Sequence, residues 1–142
     1  MHLPQILQCL GDETRLRIVL LLSHRPLCVR HLQTILGASQ VKISKHLICL
    51  KRNNMVESQA AKNWRIYRLP DQPAYEWQRC LECLRDCAHQ SGVFAEDFVR
   101  LQAMAPELEA IATVAGKAPK LPKARVAEAQ PAGPEQLEDH LL

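Results

Sequence analysis

The feature that most constrains the fold is a pair of amphipathic segments, LCVRHLQTIL and QVKISKHLICLKR, joined by the three residues GAS. In the second segment Ile43, Leu47 and Leu50 recur at helical spacing, which predicts a helix with one buried stripe. Ser39 is a favourable N-cap for this helix, and Gly37 is typical of the end of the preceding one. The pattern predicts two helices joined by a tight turn.

The flanking segments extend this prediction to a winged helix-turn-helix. LPQILQCL and DETRLRIVLLL predict two earlier helices, the second capped by Asp12 or Thr14, and LCVRHLQTIL predicts a helix over residues 27–36. MVESQAA and WRIYRL, joined by AKN, predict a β-hairpin, after which helical spacing returns. The predicted fold class is mostly α with one β-hairpin, in a domain over residues 1–115. Residues 116–142 are predicted to form a Pro- and Ala-rich, disordered tail.

Charge is distributed unevenly along the chain. Residues 1–70 contain eleven Lys or Arg and three acidic residues, a net charge of +8. Residues 71–142 contain seven Lys or Arg and twelve acidic residues, a net charge of −5. A basic half suits a polyanion such as DNA, and a solvated basic surface is the alternative. The chain begins without the pattern of a secretory leader, and no apolar run approaches about 20 residues. We therefore expect a cytoplasmic protein with no membrane partner.

The helix after the turn carries basic side chains away from its buried stripe. Lys42 and Lys45 lie on the opposite side, together with Val41. A helix fits into the major groove of DNA, where such side chains contact phosphates and base edges. Lys62 and Arg65 are expected at the tip of the hairpin, where they would meet the adjacent backbone or minor groove.

The segments LGDETRLRIVLLL, LCVRHL, SQVKISKHLICLKRNNMV and WRIYRL resemble, in order and spacing, the ArsR/SmtB-type metal-responsive repressors, and within these the arsenical-resistance repressors. The resemblance covers about residues 5–70. It implies a homodimer whose first and last helices form the interface, bound to a palindromic double-stranded DNA operator until an inducer releases it. The DNA contacts that it implies are Gln40, Val41, Lys42, Ser44, Lys45 and His46. For His46 a packed, hydrogen-bonded position is the alternative, because it lies close to the apolar stripe.

Three known metal sites of this family are incomplete here. One group of arsenical sensors has Cys-Val-Cys at the start of the third helix. Its two cysteine positions are occupied here by Cys28 and Arg30, so the second thiol is missing. A lead and cadmium group has HLxCLxxC, of which this chain keeps Cys49 but has Asn53. The zinc pattern of the last helix, counted from Asp71, lacks its other three ligands. Cys28 and Cys49 are therefore interpreted as small packed residues.

The last predicted helix contains RCLECLRDC, in which Cys80, Cys83 and Cys87 share one stripe. Thiolates without a histidine or carboxylate favour a thiophilic metalloid such as As(III) or Sb(III), and simple packing is the alternative. Cys80 and Cys87 are about 10.5 Å apart along a regular helix, so a third sulfur or local unwinding is needed, and Cys9 of a partner subunit is the candidate. The adjacent apolar stripe, expected to face the partner subunit, is formed by Trp77, Leu81, Leu84 and Ala88.

Two other functions use the same thiols. A repressor of this fold that responds to oxidants or sulfide is one alternative. A thiol-disulfide oxidoreductase is the other, because CLEC has its Cys-x-x-Cys spacing. That chemistry favours a helix N-terminus after a strand of a βαβ unit, whereas this motif lies within a helix. We therefore predict that the chain is not an enzyme and requires no cofactor, with As(III) or Sb(III) as its inducer.

Overall fold

The computed structural model describes residues 2–88 and 92–109. Its helices and strands form the predicted winged helix-turn-helix, and no described helix is long and apolar enough to cross a membrane. The predicted tail over residues 116–142 lies outside the described residues. In chain order the elements are α1 (Leu3–Leu10), α2 (Glu13–Leu22), β1 (Leu27–Cys28), α3 (Val29–Leu36), α4 (Gln40–Arg52), β2 (Glu57–Ala61), β3 (Trp64–Arg68), α5 (Tyr75–Ala88) and α6 (Gly92–Ala103).

Side-chain caps fix the starts of α2 and α4. Asp12 Oδ1 accepts a hydrogen bond from the backbone N–H of Arg15 at 3.0 Å, so Asp12 rather than Thr14 is the N-cap of α2. Ser39 Oγ accepts one from the backbone N–H of Lys42 at 3.2 Å. Each bond satisfies an N–H that has no partner within its helix. The N-cap predicted for α4 is confirmed.

The turn between α3 and α4 orients the second helix on the core. Gly37 ends α3 with φ 62, in the left-handed region that glycine adopts without a steric penalty. Three residues later α4 begins, and its Ile43, Leu47 and Leu50 are all 0% exposed. Because the predicted stripe faces the core, the opposite side of α4 faces outwards.

A short third strand corrects the predicted helix over residues 27–36. Leu27 and Cys28 form β1, which pairs antiparallel with β3 through Tyr67 and Ile66, and the sheet order is β1-β3-β2. The helix begins only at Val29. The local sequence favoured a helix, but a partner almost 40 residues away supplies the backbone hydrogen bonds of a strand. The hairpin of β2 and β3, which forms the wing, is therefore attached through β3 to the segment that leads into α3.

The apolar stripe of α5 also differs from its prediction. Trp77 and Leu81 were expected to face a partner subunit, but they are 0% and 1% exposed within a single chain. The Trp77 indole Nε1 donates a hydrogen bond to the carbonyl oxygen of Met55 at 3.0 Å. These two residues pack on their own core because α5 contacts α1 and α2 of the same chain.

An ion pair attaches α6 to α2. Arg17 Nε donates to Asp97 Oδ2 at 2.8 Å, and Arg17 Nη2 donates to Asp97 Oδ1 at 2.7 Å. The side chain of Asp97 is only 3% exposed, and that of Arg17 is 17% exposed. A bidentate pair with one buried partner fixes both the position and the orientation of the two helices.

We expect Asp97→Asn to lower the free energy of unfolding by about 2 to 3 kcal/mol, because it leaves the Arg17 guanidinium without its compensating charge. Chemical denaturation monitored by circular dichroism measures this loss. Glu96→Gln, at an exposed neighbouring position, is the control and should change the stability by less than about 0.5 kcal/mol. Equal stabilities of the two variants would contradict a structural role for the pair.

Candidate DNA-binding face and cysteine sites

The outward side of α4 forms a basic, polar surface. Gln40, Val41, Lys42 and Lys45 are exposed, and Ser44 is half-buried beside them. Val41 is 65% exposed although it is apolar. The sequence of α4, QVKISKHLICLKR, contains no acidic residue, so nothing on the helix opposes its positive charge. This surface has the composition of a helix that contacts phosphates and base edges.

His46 lies on the edge of that surface and points towards α2. Its Nε2 is 3.9 Å from Asp12 Oδ1, and its side chain is 16% exposed. The pKa of Asp12 is lowered chiefly by the hydrogen bond from the Arg15 backbone, and His46 contributes to the lowering. The contact supports the packed alternative for His46, and a DNA contact by this residue stays a prediction.

The wing presents Lys62 and Arg65 near its tip. Lys62 is in the turn between β2 and β3 with φ 54, and both residues are exposed. Arg65 lies at the start of β3 rather than in the turn, and its Nη1 donates a hydrogen bond to Ser58 Oγ at 3.0 Å. This hydrogen bond holds the Arg65 guanidinium against the neighbouring strand β2. Trp64, next to it, is 40% exposed.

An open cavity of about 600 Å³ joins the wing to the start of α4. Arg30, Gln40 and Arg65 line it together with Trp64, so three elements contribute polar groups to one concave surface. Sequence reasoning missed Arg30 and Trp64 as part of this face. The available signal was the position of Arg30 on α3, on the side away from buried Leu32.

The cysteines of α5 are more accessible than the apolar stripe beside them. Cys83 and Cys87 are exposed, and Cys80 is half-buried. The neighbouring Cys83 is the main cause that raises the pKa of Cys87, whereas burial is the main cause that raises the pKa of Cys80. Within residues 2–88 and 92–109, no three His, Cys, Asp or Glu side chains are placed to hold one metal ion. A three-sulfur site on α5 would therefore require a further ligand or a change of shape.

Cys9 and Cys49 meet between α1 and α4. Their sulfur atoms are 3.6 Å apart, and Cys9 is buried while Cys49 is half-buried. Asn53 Nδ2 donates to Cys9 Sγ at 3.3 Å, and Arg15 Nη1 donates to Cys49 Sγ at 3.6 Å. Burial and the neighbouring Cys49 raise the pKa of Cys9 to about 11. Sequence reasoning missed this pair because the two residues are 40 positions apart.

Cys28 has a different environment. It is 3% exposed, and its sulfur lies 3.0 Å from His31 Nδ1 at the start of α3. Burial lowers the pKa of His31. The burial of Cys28 agrees with its interpretation as a small packed residue.

Residues 12–58 match the family described as "Bacterial regulatory protein, arsR family". They form an arsR-family domain. The match begins at the N-cap of α2 and ends in β2, so it contains the helix-turn-helix and the basic face of α4. The resemblance noted in the sequence is confirmed for this domain, which belongs to a family of regulatory proteins and not of enzymes.

Three relatives match a longer stretch of the chain than the arsR-family domain. The arsenical resistance operon repressor of Escherichia coli (strain K12) is 47% identical over 73 residues, which are 50% of this chain and 62% of the repressor. In Pseudomonas putida (strain KT2440), the arsenic resistance transcriptional regulator ArsR2 is 42% identical over 74 residues, covering 51% of this chain and 64% of the regulator. ArsR1 of the same strain is 38% identical over 74 residues, covering 51% of this chain and 58% of the regulator. The chain therefore spans less than two thirds of each relative.

A solved structure supports the fold around the arsR-family domain. Reduced HlyU from Vibrio cholerae N16961 superposes with a TM-score of 0.53 at 28% sequence identity, over 58% of this chain and 84% of that one. The winged helix-turn-helix class is thus confirmed by the elements of this chain and by its likeness to a solved protein.

Proposed function

We propose that this protein is a transcriptional repressor that binds a double-stranded DNA operator and releases it when a thiophilic inducer, As(III) or Sb(III), binds its cysteines. The observation that carries the proposal is the exposed basic face of α4 in an arsR-family domain. No cofactor is needed for DNA binding. The names of the relatives, which are regulators of arsenic or arsenical resistance, support the choice of inducer.

The DNA-binding step follows from the shape of the face. The N-terminal half of α4 enters the major groove, with Lys42 and Lys45 towards the phosphates and Gln40 towards base edges. The wing lies alongside, so that Lys62 and Arg65 reach the adjacent backbone or minor groove. We expect the concave surface between wing and helix to face the backbone of the duplex.

A homodimer on a palindromic operator completes the proposal, because a two-fold protein matches a two-fold site. The first helix offers apolar surface for it: Leu3 and Leu7 of α1 are 47% and 57% exposed. These side chains support α1 as part of the interface. Trp77 and Leu81 do not contribute, since their own core buries them.

Lys42→Ala and Lys45→Ala are expected to weaken operator binding while leaving the fold intact. A lost phosphate contact reduces the slope of log affinity against log salt by about one, and a lost base contact costs about 1 to 3 kcal/mol of discrimination. Fluorescence anisotropy on a duplex selected from a random library, at several salt concentrations, measures both. Arg79→Ala, at an exposed position on α5, is the control. Unchanged affinity and salt slope in both lysine variants would remove α4 from the proposed interface.

For the inducer, we assign Cys80, Cys83 and Cys87 as the thiols that respond. Cys9 of a partner subunit, the further ligand predicted from the sequence, would have to leave its contact with Cys49 to join them. Soft thiolates prefer thiophilic elements, and the exposure of Cys83 and Cys87 allows access without unfolding. Binding releases DNA only if the inducer prefers the form with low DNA affinity. The α5 helix packs on α1 and α2, so a change in its shape reaches the helices that support α4.

A second candidate is a repressor of the same fold that responds to oxidants or sulfide. The neighbouring exposed thiols of Cys83 and Cys87 favour it, because accessible adjacent cysteines are the ones that oxidise to a disulfide or carry a persulfide. Peroxide and arsenite added separately to the reduced protein–DNA complex distinguish the two. Release by arsenite under strictly reducing conditions supports the metalloid, whereas release by peroxide alone supports the oxidant.

A further inference from the structure

We propose that Cys9 and Cys49 form a dithiol site that binds a trivalent arsenical carrying one organic group, and that the bound arsenical links α1 to α4. The site is distinct from the cysteines of α5. The choice of an arsenical rests in part on the proposed function, whereas the site itself rests on the geometry of the pair.

The separation of the sulfurs fits chelation of one atom. Two sulfurs bonded to one centre at about 2.3 Å each, with an angle of about 100° between the bonds, lie about 3.5 Å apart. The sulfurs of Cys9 and Cys49 are 3.6 Å apart. A disulfide needs about 2.05 Å, so the pair would have to move much further to form one. The pair can therefore chelate one atom with only a small movement of the two sulfurs.

The number of ligands indicates an arsenical with two exchangeable positions. Within the described ranges, no third His, Cys, Asp or Glu side chain joins the pair to form a metal-binding group. The remaining neighbours, Asn53 and Arg15, donate N–H groups to the sulfurs and supply no further sulfur. An organic group on arsenic occupies the third position that inorganic arsenite would need a third thiol to fill.

The protonation of the pair favours an arsenical over a divalent cation. Each S–H and each As–OH exchange in the same way: an As–S bond forms, the As–O bond breaks, and the hydroxide leaves with the thiol proton as water. Two such exchanges form the chelate, arsenic stays trivalent, and no proton is released to solution. A divalent cation would instead have to displace both thiol protons into solution.

Access to the pair is through the side chains that cover it. Asn53, which donates a hydrogen bond to Cys9 Sγ, is half-buried and accepts a hydrogen bond from exposed Gln5, and Cys49 is itself half-buried. Cys49 lies in the C-terminal half of α4, one turn beyond Lys45. A bound arsenical therefore ties the DNA-facing helix to α1.

The test uses phenylarsine oxide and the full-length protein under a thiol-free reductant. In the Cys80→Ser/Cys83→Ser/Cys87→Ser background, which keeps the pair, we expect one phenylarsenical per chain by native mass spectrometry and titration. Adding Cys9→Ser or Cys49→Ser should weaken binding by about 100-fold or more, because a single thiol loses the advantage of the second bond. Adding Cys28→Ser, which removes the other remaining thiol, should leave the stoichiometry and affinity of phenylarsenical binding unchanged.

Binding that survives Cys49→Ser at the same affinity would overturn the proposal, and so would absence of binding in the triple background. Loss of two hydrogens without gain of arsenic would show a disulfide instead and would also overturn it. The assay contains no DNA, so its failure leaves the repressor proposal standing. Failure of the lysine variants to weaken operator binding would in turn leave this site standing.

Discussion

Cys83→Ser is expected to keep the fold and operator binding and to abolish release by arsenite. Cys83 lies one turn from both Cys80 and Cys87 on α5, so it belongs to each of the two local pairs that can chelate a metalloid. Its side chain is exposed, so serine leaves the core unchanged. To move the protein from about 99% to about 1% competent, an inducer must prefer the second form by roughly 5.5 kcal/mol. Without Cys83 neither local pair is complete, and a single thiol gains too little to supply this preference.

The measurement is the arsenite concentration that releases half of the bound duplex, followed by fluorescence anisotropy. We expect it to rise by about 100-fold or more in Cys83→Ser, because a single thiol loses the gain in effective concentration from its neighbour. Cys28→Ser, at a buried thiol in contact with His31 and outside α5, is the control and should respond as the parent does. Release of Cys83→Ser at the parental concentration would mean that the α5 thiols only pack.

The largest loss of stability is expected for Trp77→Ala, at about 3 to 5 kcal/mol. The indole is 0% exposed, and its Nε1–H is satisfied by the carbonyl oxygen of Met55 in the segment between α4 and the wing. Alanine removes the largest fully buried side chain of the described residues and leaves that carbonyl without its donor. A loss of this size is a substantial fraction of the stability of a small domain.

Urea denaturation followed by circular dichroism tests the prediction with Tyr75→Ala as control. Tyr75 is an aromatic residue of the same helix but is 72% exposed, so its removal should cost less than about 0.5 kcal/mol. Trp77→Phe separates packing from hydrogen bonding, since it keeps most of the ring but loses the donor. If Trp77→Ala dissociated a dimer without lowering the stability of the subunit, the intrachain role would be wrong.

Features that depend on nearby residues were predictable from the sequence. Ser39 and Gly37 define the turn before α4 through local backbone chemistry, and Ile43, Leu47 and Leu50 define its buried stripe through a period of 3.6 residues. Once the buried side of α4 is known, the exposed basic side follows. The DNA-binding face could therefore be proposed before the structure.

Features that depend on distant residues were not predictable. The sequence of Leu27 and Cys28 is compatible with a helix, and only pairing with β3 makes it a strand. The stripe of α5 showed that Trp77 is buried but not which surface buries it. The Cys9–Cys49 pair needs the packing of α1 on α4, which no local pattern encodes. In each case a local pattern gives the periodicity and tertiary contacts supply the partner.

The position of β3 in the middle of the sheet has a consequence for signalling. Because β3 pairs with β2 on one side and with β1 on the other, backbone hydrogen bonds join the wing to the segment that continues directly into α3, and α3 packs on α4. Bending the wing alone would break the ladder at Leu27 and Cys28. In the proposed dimer, the wing and the helix-turn-helix of each subunit should therefore rotate as one rigid body. Regulation would then change the angle and spacing between two such bodies on the duplex, and each recognition surface would keep its shape.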